Sequence, residues 1–316
     1  MKVVLTGASG FMGGAFLSRL LLDTRVKEVV LLAGSEDSVS SLRTDYPGLQ
    51  VAGPWPVGGP GTDEALHNAD VLFHFAWSTM PSTAAADPLR DIRENVMSGF
   101  SLLDRVVAKG VKRFVFLSSG GTVYGEAQYL PIDEGHPTMP MTPYGISKLS
   151  FEHYLRQHAD RHGYGHLVLR PGNVYGNLRA EGRPQGVIEH WLKRLSGDRP
   201  LEVWNELSLV RDYVYIDDMV DVLERVLDGP AVRGAVNVGT GVGTSLEALA
   251  GLMARVTGRS LQLTAAQVPV RAVGANILHT GRLMDMFGLV PSTPLAVGVE
   301  RLWHRSLGMS AADDRS

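Results

Sequence analysis

Short apolar runs at residues 3–5, 29–32, 71–75, 114–117 and 168–170 alternate with longer stretches, 13–22, 89–109 and 142–162, whose apolar residues recur at helical spacing. Alternation of this kind predicts βαβ units and a parallel sheet covered on both faces. The run Val29-Val30-Leu31-Leu32 has no interleaved polar residue, as a strand buried on both sides requires. The rhythm breaks near residue 172. Residues 173–200 carry Gly, Arg and Pro and read as loop-rich, while 213–229, 245–257 and 295–307 return to helical spacing. Residues 231–245 and 271–280 have the mixed character of loops and short strands, and the polar stretch 309–316 is expected to fray.

Composition narrows the chemistry. At 316 residues and 44% hydrophobic, the chain can bury a large core, as one big domain or two joined lobes. A formal charge of −3 without a long basic run argues against nucleic acid and anionic membranes as partners. There is no cysteine, which excludes disulfides, thiolate catalysis and Cys-based zinc sites. The ten histidines show no metal-binding spacing, so no metal is expected, and His74 reads as packed and hydrogen-bonded. No apolar stretch approaches the roughly 20 residues that span a bilayer. The expectation is a soluble, cytoplasmic protein.

Two motifs change the picture. Thr6-Gly7-Ala8-Ser9-Gly10-Phe11-Met12-Gly13 follows the first apolar run and opens the first helical stretch. Glycines there let the chain turn tightly and approach a pyrophosphate, while the helix N-terminus supplies N–H donors. Much later, Tyr144 and Lys148 stand four residues apart, on one face of a helix. A free phenol ionises near pH 10, too high for a base at neutral pH; a neighbouring ammonium favours the phenolate and draws that value down.

Together these motifs resemble the short-chain dehydrogenase/reductase superfamily, in particular its extended branch of NAD-dependent nucleotide-sugar epimerases and dehydratases. The resemblance continues through His74-Phe75-Ala76, Asn95 before Gly99, Leu117-Ser118-Ser119-Gly120-Gly121-Thr122-Val123-Tyr124-Gly125, Leu169-Arg170-Pro171-Gly172-Asn173-Val174-Tyr175-Gly176, Val210-Arg211-Asp212-Tyr213-Val214-Tyr215-Ile216-Asp217-Asp218 and Asn237-Val238-Gly239-Thr240-Gly241. It implies an α/β fold: a Rossmann-like doubly wound parallel sheet with a smaller α/β substrate-binding lobe. Residues 1–172 would form the dinucleotide-binding domain, with 211–240 returning to it, and 173–210 with 241–316 the substrate lobe. The cofactor would be NAD, with NADP open. Its contacts would be Gly7, Ser9, Gly10, Phe11, Met12, Gly13, Phe75, Ala76, Asn95, Ser118, Tyr144, Lys148 and Pro171. The substrate would be a nucleotide-diphosphate sugar, UDP-linked, contacted by Asn173, Val203, Trp204, Arg211 and Arg271. The two arginines would clamp the diphosphate, a role suited to a guanidinium fork. Against this stand plainer readings, Arg211 paired with Asp212 or Asp217 and Trp204 a core residue. The resemblance also implies a homodimer.

The function so implied is 4-epimerisation of a UDP-sugar through a transient 4-keto intermediate, with Tyr144 as acid/base and Lys148 tuning it. Alternatives are 4,6-dehydration, UDP-glucuronate decarboxylation or reduction at the same carbon, or an NAD(P)-binding regulator without turnover. Dehydratases of this branch typically carry Thr-Asp-Glu where this chain has Gly120-Gly121-Thr122, which disfavours dehydration. Arg179 and Arg183 keep a carboxylated sugar open. Three departures from the family stand out. Ala33-Gly34-Ser35 replaces the acidic residue that holds the adenosine ribose, and Arg43 is a candidate for a 2′-phosphate. Gly53-Pro54-Trp55 displaces the Asp near the adenine. Gly120 takes the place of the catalytic Ser/Thr, so the hydroxyl comes from Thr122 or Ser119; alternation along a continuing strand favours Thr122.

Overall fold

The computed structural model describes residues 1–55, 61–176, 186–204, 206–229, 233–266 and 272–308. The strands in the first part of the chain are β1 (Lys2–Thr6), β2 (Glu28–Leu32), β3 (Gln50–Ala52), β4 (Val71–His74), β5 (Arg113–Leu117), β6 (Gly165–Pro171) and β7 (Asn173–Tyr175). After them come β8 (Leu201–Val203), β9 (Val210–Tyr215), β10 (Gly234–Val238), β11 (Gly243–Ser245), β12 (Leu263–Ala265) and β13 (Ala275–Asn276).

One seven-stranded sheet runs in the order β10-β6-β5-β4-β1-β2-β3. The pairings from β3 across to β6 are parallel, with Val3 opposite both Val29 and Val71. The order reverses between β1 and β4, the switch point at which doubly wound sheets bind ligands. Val3, Val4, Leu5, Val30, Leu31, Leu72, Phe73, Phe114, Val115 and Phe116 are wholly or almost wholly buried, so these strands are covered on both faces, as their non-alternating composition predicts. Each such side chain contributes about 1.5–3 kcal/mol relative to its exposed state. The helix Ser98–Ala108 approaches the helix Pro143–His162 closely at Gly99, where an added Cβ would fall 2.3 Å from the Phe151 ring.

The chain divides into two compact units: Met1–Tyr124 with Pro137–Arg170 and Val220–Val236, and Gly125–His136 with Pro171–Met219 and Asn237–Ser316. The second unit has β9 paired in parallel with β7 and β13 and antiparallel with β11, and a separate parallel pair β8–β12. The helices Val187–Ser196, Leu246–Thr257 and Leu295–Ser306 complete it.

Several boundaries differ from the sequence reading. Residues 210–215 form a strand, and the helix expected from 213 starts at Ile216; 211–219 therefore lie in the second unit, and only Val220–Val236 returns to the first. The loop-rich stretch 173–200 holds β7 and a ten-residue helix. Gly125–His136, expected in the first unit, clusters with the second: Asn237 N–H donates to Glu134 (2.8 Å) and its Nδ2 to the Ile132 carbonyl (2.9 Å), and Ile132 bridges to Leu278. Among the described residues no helix is long and apolar enough to cross a membrane.

Candidate active site

β1 ends at Thr6, whose hydroxyl ties the ends of two strands together. It accepts the N–H groups of Phe75 and Ala76 (both 3.1 Å) and pairs with His74 Nδ1 (2.9 Å). His74 is buried among Trp55, Phe114, Phe116 and Phe151. Burial first, then the charge of Lys148, lowers its pKa to about 3, so the ring is neutral and serves as packing. Gly7 turns with φ 73°, and a Cβ there would lie 2.6 Å from the Ala76 nitrogen. A Cβ at Gly13 would lie 2.1 Å from the Gly7 carbonyl oxygen. Only glycine fits either place. Gly10 caps the helix Phe11–Leu20 without a side chain, and first-turn N–H groups, here those of Phe11, Met12 and Gly13, have no intrahelical partner. The turn fits a dinucleotide pyrophosphate; Ser9, beside it, is exposed.

The expected ribose acid is absent here too. Ser35 caps the helix Glu36–Asp45, with Glu36 and Asp37 in its exposed first turn. Arg43, the candidate for a 2′-phosphate, donates to the Val51 carbonyl (3.3 Å). Trp55 is a buried core residue, its backbone N–H on the Ala33 carbonyl (2.8 Å).

Tyr144 and Lys148 stand on the helix Pro143–His162. Thr142 caps it by accepting the Gly145 N–H (3.1 Å), Pro143 occupies the first turn, and Gly163 ends it with φ 79°. Lys148 is buried. Its ammonium donates to the Leu117 carbonyl (2.7 Å) and lies 4.0 Å from the Trp77 ring centroid, 4.8 Å from that of Phe116 and 5.7 Å from that of Tyr144. Burial pulls the Lys148 pKa down to about 7, against the supporting charges of Glu152 and Asp91. Burial, then Asp91, raises the Tyr144 phenol above its ordinary range. The downward pull on Tyr144 expected from Lys148 is therefore not what this arrangement shows: the ammonium points at Leu117, and burial dominates.

One turn further on, Glu152 organises a buried polar network. Ser118 donates its hydroxyl to Glu152, and Arg170 contacts both Glu152 oxygens through Nε (3.1 and 3.2 Å) and one through Nη2 (2.5 Å). Arg170 Nη1 also donates to Tyr124 Oη (2.9 Å). Burial opposes the Arg170 charge, but the bonds to Glu152 more than offset it and raise its pKa. The Ser118 hydroxyl is thus committed inward. Asn95 is likewise engaged: its Oδ1 accepts from the Ser78 N–H (2.8 Å), and its Nδ2 donates to Asp91 (2.9 Å) and Thr79 (3.1 Å). The helix widens to a π-type turn over Ile92–Met97, placing Asn95 there. Glu152, Arg170, Asp91 and Trp77 escaped sequence reasoning. The spacing Tyr144, Lys148, Glu152, at steps of four, was the available signal for the first.

The hydroxyl question acquires a different basis. β5 ends at Leu117, and the N–H groups of Thr122 (3.4 Å) and Val123 (3.2 Å) return to the Ser119 carbonyl. The segment is a turn, so alternation along a strand does not apply. Thr122 instead abuts the start of the helix Pro143–His162: its carbonyl oxygen is 2.6 Å from where a Gly145 Cβ would be. Its hydroxyl is buried with no partner among the described residues. Pro171 is the last residue of β6.

In the second unit, Asn173, Trp204, Arg211 and Tyr213 line a crevice of ≈ 160 Å³ with Trp191, Glu202 and Leu246. Trp204 is at its surface, its ring 4.5 Å from that of His190. Val203 is the last residue of β8, its carbonyl accepting the Ala266 N–H (2.9 Å). Arg211 donates to the carbonyls of Val210 (2.8 Å) and Gly274 (3.5 Å). The pairing of Arg211 with Asp212 is not found. Asp212 is buried and spends both oxygens on Thr240, Gly241 and Leu278 (2.6–3.2 Å). The crevice thus gathers Asn173, Trp204 and Arg211; Tyr213, whose hydroxyl is buried with no partner among the described residues, was not anticipated. Arg271, Arg179 and Arg183 lie outside the described residues.

Known proteins resemble the chain over nearly its whole length. The chain is 30% identical over 334 residues to a UDP-glucose 4-epimerase of Azospirillum brasilense, covering 98% of this chain and 93% of that one. A crystal structure of UDP-glucose 4-epimerase with UDP-glucose from Thermotoga maritima superposes with a TM-score of 0.86 at 26% identity, over 97% of this chain and 99% of that chain. A Thermus thermophilus UDP-glucose 4-epimerase in complex with NAD gives 0.85 at 26% identity, over 98% and 100%. The sequence pattern of the NAD dependent epimerase/dehydratase family matches residues 3–239. The chain belongs to the NAD dependent epimerase/dehydratase family.

Proposed function

We propose that the protein is an NAD-dependent nucleotide-sugar 4-epimerase acting on a UDP-sugar. The observation that carries this reading is the cluster at the start of one helix: Tyr144, Lys148 one turn on, and Thr122, whose carbonyl abuts Gly145 and whose hydroxyl is buried with no partner among the described residues. The glycine turn at residues 7–13 supplies the cradle for the dinucleotide. When bound, the nicotinamide would accept a hydride from sugar C4 and return it.

Tyr144 Oη takes the proton of the sugar 4-hydroxyl as the C4–H bond breaks, and gives it back after the 4-keto sugar has turned its other face. No net redox change results. Thr122 shares the O4 proton through its free hydroxyl; Ser119 is the alternative. Lys148 supplies the positive charge that a phenolate needs once it turns from Leu117 towards Tyr144. Asn173 and Arg211, with Arg271, hold the sugar nucleotide's phosphates, and Val203 and Trp204 flank the base. Phe75, Ala76 and Pro171 border the cofactor. Gly121 and Thr122, in place of the dehydratase Asp and Glu, keep 4,6-dehydration the weaker reading. The same reading expects a cytoplasmic homodimer, checked by sedimentation.

The test is interconversion of UDP-, dTDP- and GDP-sugar pairs, read by NMR. Tyr144→Phe should fold, bind NAD and lose about 10²–10⁴-fold in turnover, the usual contribution of a general acid/base. Turnover equal to the parent enzyme's would end this assignment, and a chain that binds NAD but converts no sugar would be a cofactor-binding regulator.

A further inference from the structure

A buried ammonium needs a partner, and Lys148 has an unusual one. Its own helix offers Tyr144 and Glu152; Asp91 ends the short helix Pro88–Asp91; His74 at the end of β4 is neutral; β5 contributes the Leu117 carbonyl. Glu152 is occupied by Arg170 and Ser118, and one Asp91 oxygen by Asn95 and Thr79. Among the described residues no carboxylate comes within ion-pair distance of Lys148. What does face it is Trp77, in the segment that follows β4, with the ammonium 4.0 Å from the ring centroid.

We propose that Trp77 is a positioning residue for the acid/base pair: its indole face holds the Lys148 ammonium as a cation–π partner, keeping it charged within one helix turn of Tyr144. Indole is the strongest aromatic partner for a cation, and the attraction grows when both groups are withdrawn from water. The ring's orientation fits this role. Its Nε1–H is buried with no partner among the described residues, an arrangement that costs free energy. No hydrogen bond therefore sets the ring plane; packing does, against Phe116 (5.6 Å) and Phe151 (6.2 Å), with Tyr144 at its edge (6.4 Å). Burial pulls the Lys148 pKa down towards neutrality, and loss of the indole face would remove a compensating attraction.

The turnover arm of the test rests on the epimerase reading; the titration arm does not. The chain has six lysines, so lysine Cε/Nζ signals can be followed by NMR, with Lys148→Met identifying the one of interest. In Trp77→Leu, which keeps apolar bulk without a π face, the Lys148 midpoint should fall by about one pH unit, a tenfold loss of proton affinity. Trp77→Phe should fall by less. The alkaline limb of turnover should move the same way. A midpoint that stays or rises in Trp77→Leu overturns the proposal; a structural role would lower turnover or melting temperature at every pH without moving it. If Trp77→Leu does not fold, Trp77→Phe and Trp77→Tyr decide on the same criterion. A parent enzyme that turns over no sugar would sink the epimerase reading and leave the lysine titration to judge Trp77 alone.

Discussion

Arg170, paired with Glu152 in the first unit, and Arg211, in the second unit's crevice, are both withdrawn at least in part from water, yet they are used in opposite ways. Arg170 is buried and engaged from within through all three of its nitrogens: Glu152 accepts from Nε and Nη2, and Tyr124 from Nη1. Arg211 is half-buried, donates hydrogen bonds to the Val210 and Gly274 carbonyls, and its neighbour Asp212 is engaged elsewhere. Burial lowers the Arg211 pKa, whereas Glu152 raises that of Arg170. A guanidinium carries five N–H donors. Where buried side chains engage every nitrogen the residue holds the fold; where the donors are left facing a crevice the residue is suited to an anionic ligand.

The largest expected effect breaks the first half of that contrast. Arg170→Met would leave Glu152 buried without its counter-ion and should lower the unfolding free energy by about 3–5 kcal/mol in urea titrations. A loss below about 1 kcal/mol would show that Arg170 is no more structural than Arg211. The second half is tested by Arg211→Ala, which should weaken UDP binding by about 1.5–3 kcal/mol in calorimetry, with stability changed by less than about 0.5 kcal/mol. A loss of stability with unchanged UDP affinity would reverse the contrast. The smallest effect sharpens it: Trp204→Ala should reduce UDP affinity by about 0.5–1.5 kcal/mol, the range of an aromatic stacking contact. Destabilisation without loss of affinity would make Trp204 a packing partner of His190.

The first unit was the more legible of the two. Its strands β1, β2, β4 and β5 carry runs of three or four apolar residues, unbroken enough to announce burial, and Gly7 and Gly13 are needed by backbone contacts no other residue permits. The second unit depends on strands of two or three residues, such as β7, β8 and β11, too short to show a period. In β9, Arg211 and Asp212 interrupt the apolar pattern, and Tyr213, Ile216, Met219 and Val220 fall at helical intervals, so the strand was absorbed into the helix that follows. At the site, Tyr144 and Lys148 were readable because a four-residue spacing puts both on one helix face behind a dinucleotide-type glycine turn. Trp77, Asp91 and Arg170 were not, since each acquires its role from partners far away in sequence. The preference for Thr122 rested on a strand that ends at Leu117; its closeness to Gly145 is a property of the turn, visible only in three dimensions.

The two units are interleaved along the chain, and this bears on how the protein is made. By residue 170 the first unit has almost all of its sequence, yet it still lacks Val220–Val236 and with it most of β10. At roughly 5–20 residues per second, the 66 residues from 170 to 236 take about 3–13 s to synthesise. For that interval the outer side of β6 waits without its neighbour, an open strand edge of the kind that recruits wrong partners. Gly125–His136, already synthesised, waits longer, because its partners Asn237 and Leu278 come later still. Translation speed and chaperone supply over this stretch are therefore expected to govern the yield of native protein more than its final stability does.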